Sequence, residues 1–272
     1  MANVHARAPW KDVTFAGGYW NCGPRLEKLL KFVRPWFKTI IAVVQESPDN
    51  TLAVAKKYAD VVIEEPWQGR GDPSIHTAVA AVKTKYAFVI SDDEMPTAEL
   101  LFSFQDLVDE LKAKGKDGAW LRFASSIDGI DFTREQDQHL RFFTATVGWP
   151  QTQHARPMTE NTIQWKPDGA LIHHDRSLDE MLQDYLRRYE LGTKDATPDQ
   201  QAHNQKMMRS AVDAVTRNKG EAYVRSFAWY PEVVRVAYAG NDPYPEAEVE
   251  PVPEPEAAPA ATPKRGRPRK AA

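Results

Sequence analysis

The chain is poor in cysteine, has no long apolar run, and has almost no large apolar side chains in its last stretch. A single thiol, Cys22, stands among 272 residues, which excludes an internal disulfide. No Cys/His cluster has the spacing of a structural zinc site. A lone thiol reads as a small hydrophobe, and Cys22 receives no function. No apolar run approaches the roughly 20 residues that span a bilayer, so no transmembrane segment is expected. The start, MANVHARAPWKD, lacks the apolar stretch of a secretory signal, and a cytoplasmic location is expected.

What is present is enough for a core. With 42% hydrophobic and 27% charged residues, the chain can bury one large domain or two small ones. The formal net charge of −3 conceals an uneven distribution. From Asn241 to Ala272 the chain reads NDPYPEAEVEPVPEPEAAPAATPKRGRPRKAA, with eight of the 20 prolines. This acidic, proline-rich block ending in a compact basic one cannot bury enough surface to offset its ordering entropy. An extended, mobile tail is expected over 241–272, with the folded part ending near Ala239.

Before that boundary the pattern alternates. Val13 to Ala16, Thr39 to Val44, Asp60 to Ile63 and Tyr86 to Ile90 read as strands. Gly17 and Gly18 read as the tight exit of the first. Arg25 to Phe32, Thr51 to Tyr58 and His76 to Thr84 have helical spacing. Strand and helix in alternation predict an α/β fold whose central sheet is mainly parallel, flanked by helices. Ala98 to Lys112 is a strongly amphipathic helix. Gly118 to Phe123, Arg141 to Val147 and Ala170 to Ile172 read as shorter strands of a mixed second half, closed by helices over Leu178 to Tyr189 and Gln200 to Arg217.

The chemistry concentrates where the strand Tyr86 to Ile90 ends in Ser91, Asp92, Asp93 and Glu94. Oxygen ligands at the carboxyl end of a strand suit a divalent cation held against a diphosphate. The same residues would also cap the helix that begins near Thr97.

The order of motifs resembles family-two glycosyltransferases of the GT-A fold, in particular the bacterial sugar transferases of lipopolysaccharide core synthesis. Three passages carry it: Val43 to Asp60 (VVQESPDNTLAVAKKYAD), Val61 to Val79 (VVIEEPWQGRGDPSIHTAV) and the SDDE segment. A weaker match is Leu171 to Tyr189 (LIHHDRSLDEMLQDYLRRY). The resemblance implies a catalytic domain over 1–240, with a donor half at about 10–95 and an acceptor half at about 96–240. It implies transfer of a sugar, of the hexosyl type, from a nucleoside-diphosphate sugar with Mn2+ or Mg2+ as cofactor. The acceptor would be a protein, a lipid-linked glycan or a nucleic-acid base.

The resemblance also implies roles. Gln45 and Glu46 stand where the family bonds the nucleotide base; Glu65, Trp67 and Arg70 lie in the passage that closes over the donor. Asp93 and Glu94 match the family's second Asp and following Glu. Ser91 replaces its first Asp, with Asp92 an additional carboxylate. His173 or His174 would ligate the cation or bond the diphosphate, and Arg176 would neutralise phosphate. On a strand the two histidines point oppositely, so one of them faces the site. Asp168 and Glu160 are the candidates for the base that deprotonates the acceptor. Arg156, Trp149 and Trp165 are candidates for the acceptor side, the indoles as pocket walls or as core residues.

In the tail, Lys264 to Lys270 (KRGRPRK) resembles the AT-hook, whose extended Arg265-Gly266-Arg267-Pro268 core suits the narrow minor groove of A·T-rich DNA. A basic terminus with non-specific affinity for polyanions fits the same residues. Two other readings of the whole chain stay open. One is a DNA-associated binding protein that has kept the fold and lost transfer activity. The other is a nucleotidyltransferase.

Overall fold

The computed structural model describes residues 9–68, 72–132, 137–151, 156–183, 185–186, 198–240 and 243. Arg70 and the tail motif Arg265 to Pro268 lie outside the described residues.

The first half is a parallel α/β unit. Strands β1 (Trp10–Tyr19), β2 (Phe37–Gln45), β3 (Val61–Glu65) and β4 (Tyr86–Val89) alternate with helices α1 (Gly23–Val33), α2 (Thr51–Tyr58) and α3 (Asp72–Ala80). β1 pairs in parallel with both β2 and β4, and β2 with β3, so the order β3-β2-β1-β4 aligns four carboxyl ends on one edge. β2 and β4 are nearly continuous apolar runs, as strands covered on both faces require. Phe15, Phe37 and Phe88 pack below them with Leu26, Leu30 and the later Phe104, and Val43, Val89 and Ile75 pack above. Each fully buried large side chain contributes about 1.5–3 kcal/mol of burial energy.

The second half extends the same sheet. After β5 (Glu94–Pro96), α4 (Ala98–Phe102) and α5 (Phe104–Lys114) come β6 (Gly118–Ile127), β7 (Ile130–Asp131), β8 (Gln138–Thr144), β9 (Thr162–Trp165) and β10 (Ile172–Arg176). The sheet order is β3-β2-β1-β4-β8-β6-β10-β5, with β7 and β9 also paired to β6. β8 is antiparallel to both β4 and β6. The carboxyl end of β6 therefore lies on the same edge as those of β1 to β4. Ligand crevices form on such an edge.

Helix α6 (residues 178–183) and α7 (Pro198–Lys219), α8 (Glu221–Arg225) and α9 (Tyr230–Ala237) share a second core. It includes Leu178, Leu182, Met208, Val212, Val215 and Val233, joined by Ile127 at the end of β6. Asp128 ties this lobe to the sheet: its Oδ1 accepts from Leu178 N at 3.2 Å and its Oδ2 from Tyr223 Oη at 3.0 Å. The start of α6 is thereby fixed beside the carboxyl edge.

Two sequence expectations need correction. Gly17 and Gly18 are not the exit of β1; the strand runs through them to Tyr19. A Cβ on Gly18 would stand 2.6 Å from Ser74 Cβ, and one on Gly17 would collide with the Tyr19 hydroxyl. The pair therefore admits α3 and an aromatic ring close to the strand. The helix expected over Ala98 to Lys112 is two helices, because Ser103 Oγ donates to Leu100 O at 2.8 Å and accepts from Trp165 Nε1 at 3.0 Å. A side chain bonding back to the preceding turn bends the helix there.

Candidate active site

The acidic segment leaves β4 at Ile90 and returns as β5, so Ser91, Asp92, Asp93 and Glu94 cross the carboxyl edge between the parallel unit and β10. Antiparallel pairing sets His174 opposite Glu94. The alternation of β10 then decides which histidine serves the edge: His173 is exposed on one face, and His174 is half-buried on the other with Arg176.

The three carboxylates meet three different environments. Asp93 Oδ2 accepts from His174 Nε2 at 3.3 Å and lies 3.5 Å from Arg176 Nε. Burial alone would raise Asp93. The hydrogen bond from His174 and the charges of His174, Arg176 and Arg25 outweigh it and hold the carboxyl well below the usual range. Burial likewise would lower His174, but the hydrogen bond to Asp93 and the charges of Asp93 and Glu94 raise it.

Asp92 is turned toward the first helix, where Arg25 Nε donates to its Oδ2 at 2.7 Å. Burial and the neighbouring Asp93 charge push Asp92 up, against the pull of Arg25. Glu94 is 4% exposed; its Oε2 accepts from Ser91 N at 2.9 Å and its Oε1 from Arg141 Nη2. The expectation that Glu94 joins Asp92 and Asp93 around a cation gives way to this geometry, since both its oxygens brace the turn from beneath.

Among the described residues no group of three His, Cys, Asp or Glu side chains converges as a metal site. The donor set that does converge is the pair Asp93 and His174. Asp93 fits a cation that takes one protein carboxylate and completes its shell from phosphate oxygens and water, as Mg2+ does in nucleotide sites. His174 would join it as a ligand only with Nε2 deprotonated and released from Asp93.

At the other side of the edge, Trp20 and Trp67 stack with centroids 3.9 Å apart across the ends of β1 and β3, and Trp20 Nε1 donates to Glu46 O at 3.0 Å. Gln45 is fully buried. Its Nε2 donates to Ser74 Oγ at 2.5 Å, Ser74 Oγ donates to Glu65 Oε2 at 3.2 Å, and Thr77 Oγ1 to Glu65 Oε1 at 2.5 Å. Glu46 is exposed just beyond them.

The structure does not bring the expected base and acceptor residues to this centre. β9 pairs with the beginning of β6, Gly118 opposite Thr162, whereas Ser125 lies opposite His174. Those two points on β6 are roughly 23 Å apart at about 3.3 Å per residue. Glu160 and Arg156, just before β9, form an exposed ion pair with each other at 2.7 Å at that far end. Asp168 is exposed in the turn before β10, beside Gly169, whose carbonyl accepts from Thr97 Oγ1. Trp165 is buried in the core under α4 and α5, and Trp149 packs on Phe143 above the parallel unit. Both indoles are therefore core residues, and the pocket-wall expectation is corrected.

Sequence reasoning missed Arg25, Arg141 and Trp20. Arg25 and Arg141 act on carboxylates 67 and 47 positions away, and nothing local marks them; Trp20 was legible only as an aromatic following a strand.

A mixed sheet of this order, with helices on both faces and an acidic turn at its carboxyl edge, is the GT-A fold of nucleotide-sugar glycosyltransferases. The chain belongs to glycosyl transferase family 2, whose model matches residues 19–178. No curated protein sequence matches it. Among solved structures, S. aureus TarS 1–349 in complex with UDP is similar with a TM-score of 0.47 and 10% identity, covering 83% of this chain and 78% of that one. The same TarS fragment in complex with UDP-GlcNAc gives 0.46 and 11%, covering 82% and 78%. The bifunctional IspDF from Campylobacter jejuni gives 0.29 and 14%, over 50% of this chain and 40% of that one. The assignment rests on the family match.

Proposed function

We infer that this glycosyltransferase moves a hexosyl group from a nucleoside-diphosphate sugar, with Mn2+ or Mg2+ held by Asp93 and His174. The observation that carries the reading is the convergence of those two donors beside Arg176 on the carboxyl edge. A divalent cation bound there supplies Lewis-acid neutralisation of the donor diphosphate.

The protein's own groups do the rest. Transfer breaks the bond between the anomeric carbon and the diphosphate oxygen as the acceptor hydroxyl bonds that carbon and gives its proton to a base, and negative charge grows on the departing diphosphate. Arg176, next to Asp93, opposes that charge from a fixed position. Arg141 and the Ser91 amide hold Glu94 in place, and Glu94 holds the turn that presents Asp93. The network of buried Gln45 and Ser74 with half-buried Glu65 and Thr77 ties α3 to the ends of β2 and β3, and so keeps the nucleotide side of the edge rigid.

The test is thermal stability against a panel of nucleotide sugars and nucleoside diphosphates, with and without Mn2+, for the wild type and Asp93→Ala. A metal-dependent rise for one nucleotide, abolished by the substitution, is expected. A folded protein that responds to no donor would sink the reading.

A further inference from the structure

The charged groups of the centre continue past Asp93 and His174 into a linked chain. Arg25, in the first turn of α1, donates from Nε to Asp92 Oδ2 at 2.7 Å and from Nη1 to Glu180 Oε1 at 2.5 Å. The other oxygen of Glu180 accepts from Ser177 Oγ at 3.0 Å and from Ser177 N at 3.4 Å, and Ser177 Oγ accepts from Glu180 N at 3.1 Å. This is the reciprocal capping box that starts α6. Arg176 reaches Glu180 O with Nη2 at 3.5 Å and Asp93 with Nε at 3.5 Å. Two arginines, from α1 and from β10, thus meet at Glu180 and lie against the adjacent carboxylates Asp92 and Asp93.

Arg25 differs from an ordinary surface cation in two respects. It is clamped by carboxylates from two distant elements, the acidic turn and α6, so its position is set by the fold. Its side chain nevertheless keeps 41% of its surface exposed, and Glu180 keeps 46%. A guanidinium that is both fixed and open can present its planar fork to phosphate oxygens, whose geometry it matches as it does a carboxylate's and which, in a diphosphate, carry more charge than one carboxylate. Glu180 occupies one arm of that fork.

We propose that Arg25 is a ligand of the donor diphosphate, a second fixed arginine beside Arg176, and that Glu180 competes with the phosphates for its Nη1. This rests on the reading of a nucleoside-diphosphate donor at Asp93 and His174. Asp92 serves as the anchor that keeps Nε in place while the other arm changes partner. Glu180 belongs to α6, so occupation of the site by diphosphate also loosens the link between α1 and the helical lobe.

The experiment is calorimetric titration with UDP, GDP, ADP, CDP and inorganic pyrophosphate in Mn2+, on the wild type, Arg25→Ala, Glu180→Gln and Asp93→Ala, with melting temperatures alongside. Arg25→Ala is expected to weaken both the preferred nucleotide and pyrophosphate by about 10-fold or more, the worth of a charge-assisted hydrogen bond. Glu180→Gln, which retains the capping box, is expected to tighten both. Unchanged affinity in a folded Arg25→Ala, or unchanged or weaker affinity in Glu180→Gln, would make Arg25 a latch between α1 and α6 and overturn the proposal. Should Arg25→Ala not fold, Glu180→Gln decides alone. Binding that is lost in Asp93→Ala yet indifferent to Arg25 would remove this inference and leave the donor reading standing. A wild type that takes up none of the five probes would remove both.

Discussion

The two sides of the carboxyl edge solve the same problem, a carboxylate near the ends of parallel strands, in opposite ways. At the β2–β3–α3 side, Glu65 is satisfied by the hydroxyls of Ser74 and Thr77, and Gln45 closes the network from beneath. At the β4–β10 side, Asp92 faces Arg25, Asp93 faces His174 and Arg176, and Glu94 faces Arg141. A hydroxyl network is complete in itself and gains nothing by exchanging partners. Ion pairs that are partly open to water can exchange, because a phosphate or a cation brings its own charge. Polar residues at a strand end therefore do not announce a binding role by type alone; the partner decides it.

The ion-paired side contains its own exception, and it carries the largest expected effect. Glu94 and Arg141 have side chains only 5% and 13% exposed, so removing one partner strands a buried charge. Arg141 Nε already lacks a hydrogen-bond partner among the described residues. Glu94→Ala should cost about 3–5 kcal/mol of stability, seen as a fall in melting temperature of roughly 10 °C. Asp93→Ala should do the reverse: turnover of a nucleotide sugar should fall about 100-fold, with the melting temperature held within a few degrees. If both variants lost stability equally, the distinction between a bracing and a binding carboxylate would fail.

On the other side, Gln45→Ala should cost about 1–3 kcal/mol through the cavity and the buried Ser74 hydroxyl that loses its Gln45 donor, with donor affinity unchanged in the folded protein. Chemical denaturation and nucleotide titration on one sample separate the two effects. A tenfold loss of affinity at retained stability would show that Gln45 reads the nucleotide base after all.

The parallel unit was legible in the sequence because its signals are local. The apolar runs at Thr39 to Val44 and Tyr86 to Ile90 fall within one or two residues of β2 and β4, and Thr51 to Tyr58 matches α2. The third helix starts at Asp72 instead of His76, since Pro73 suits a first helical turn. In the second half, β6 runs on to Ile127 and β10 lies at Ile172–Arg176 instead of Ala170 to Ile172. These strands are extended by pairing with each other, through contacts such as Ser125 opposite His174, which no local pattern records. The candidate site divides in the same way. The motif singled out Asp93, Arg176 and the pair His173 and His174, and alternation along a strand set the two histidines on opposite faces; which of them meets Asp93 came only from the pairing of β10 with β5. Their separation from Glu160 was not, because it depends on β9 and β10 pairing with opposite ends of β6.

The smallest expected effect tests that separation. Among the described residues the Glu160 carboxylate pairs with Arg156 four residues earlier and with no other side chain, and both are well exposed. An exposed pair of this kind gains little Coulomb energy in water and spends side-chain entropy to form. Glu160→Gln should therefore leave both melting temperature and sugar transfer at wild-type values, measured with any donor that supports turnover. The base for the acceptor must lie within hydrogen-bond reach of the attacking hydroxyl, and in the proposed donor site that hydroxyl would approach a sugar whose diphosphate lies near Asp93. A tenfold loss of turnover in a stable Glu160→Gln would place the acceptor across the length of β6. The carboxyl edge would then be only half of the active site, and the contrast between its two sides would cease to describe how this enzyme works.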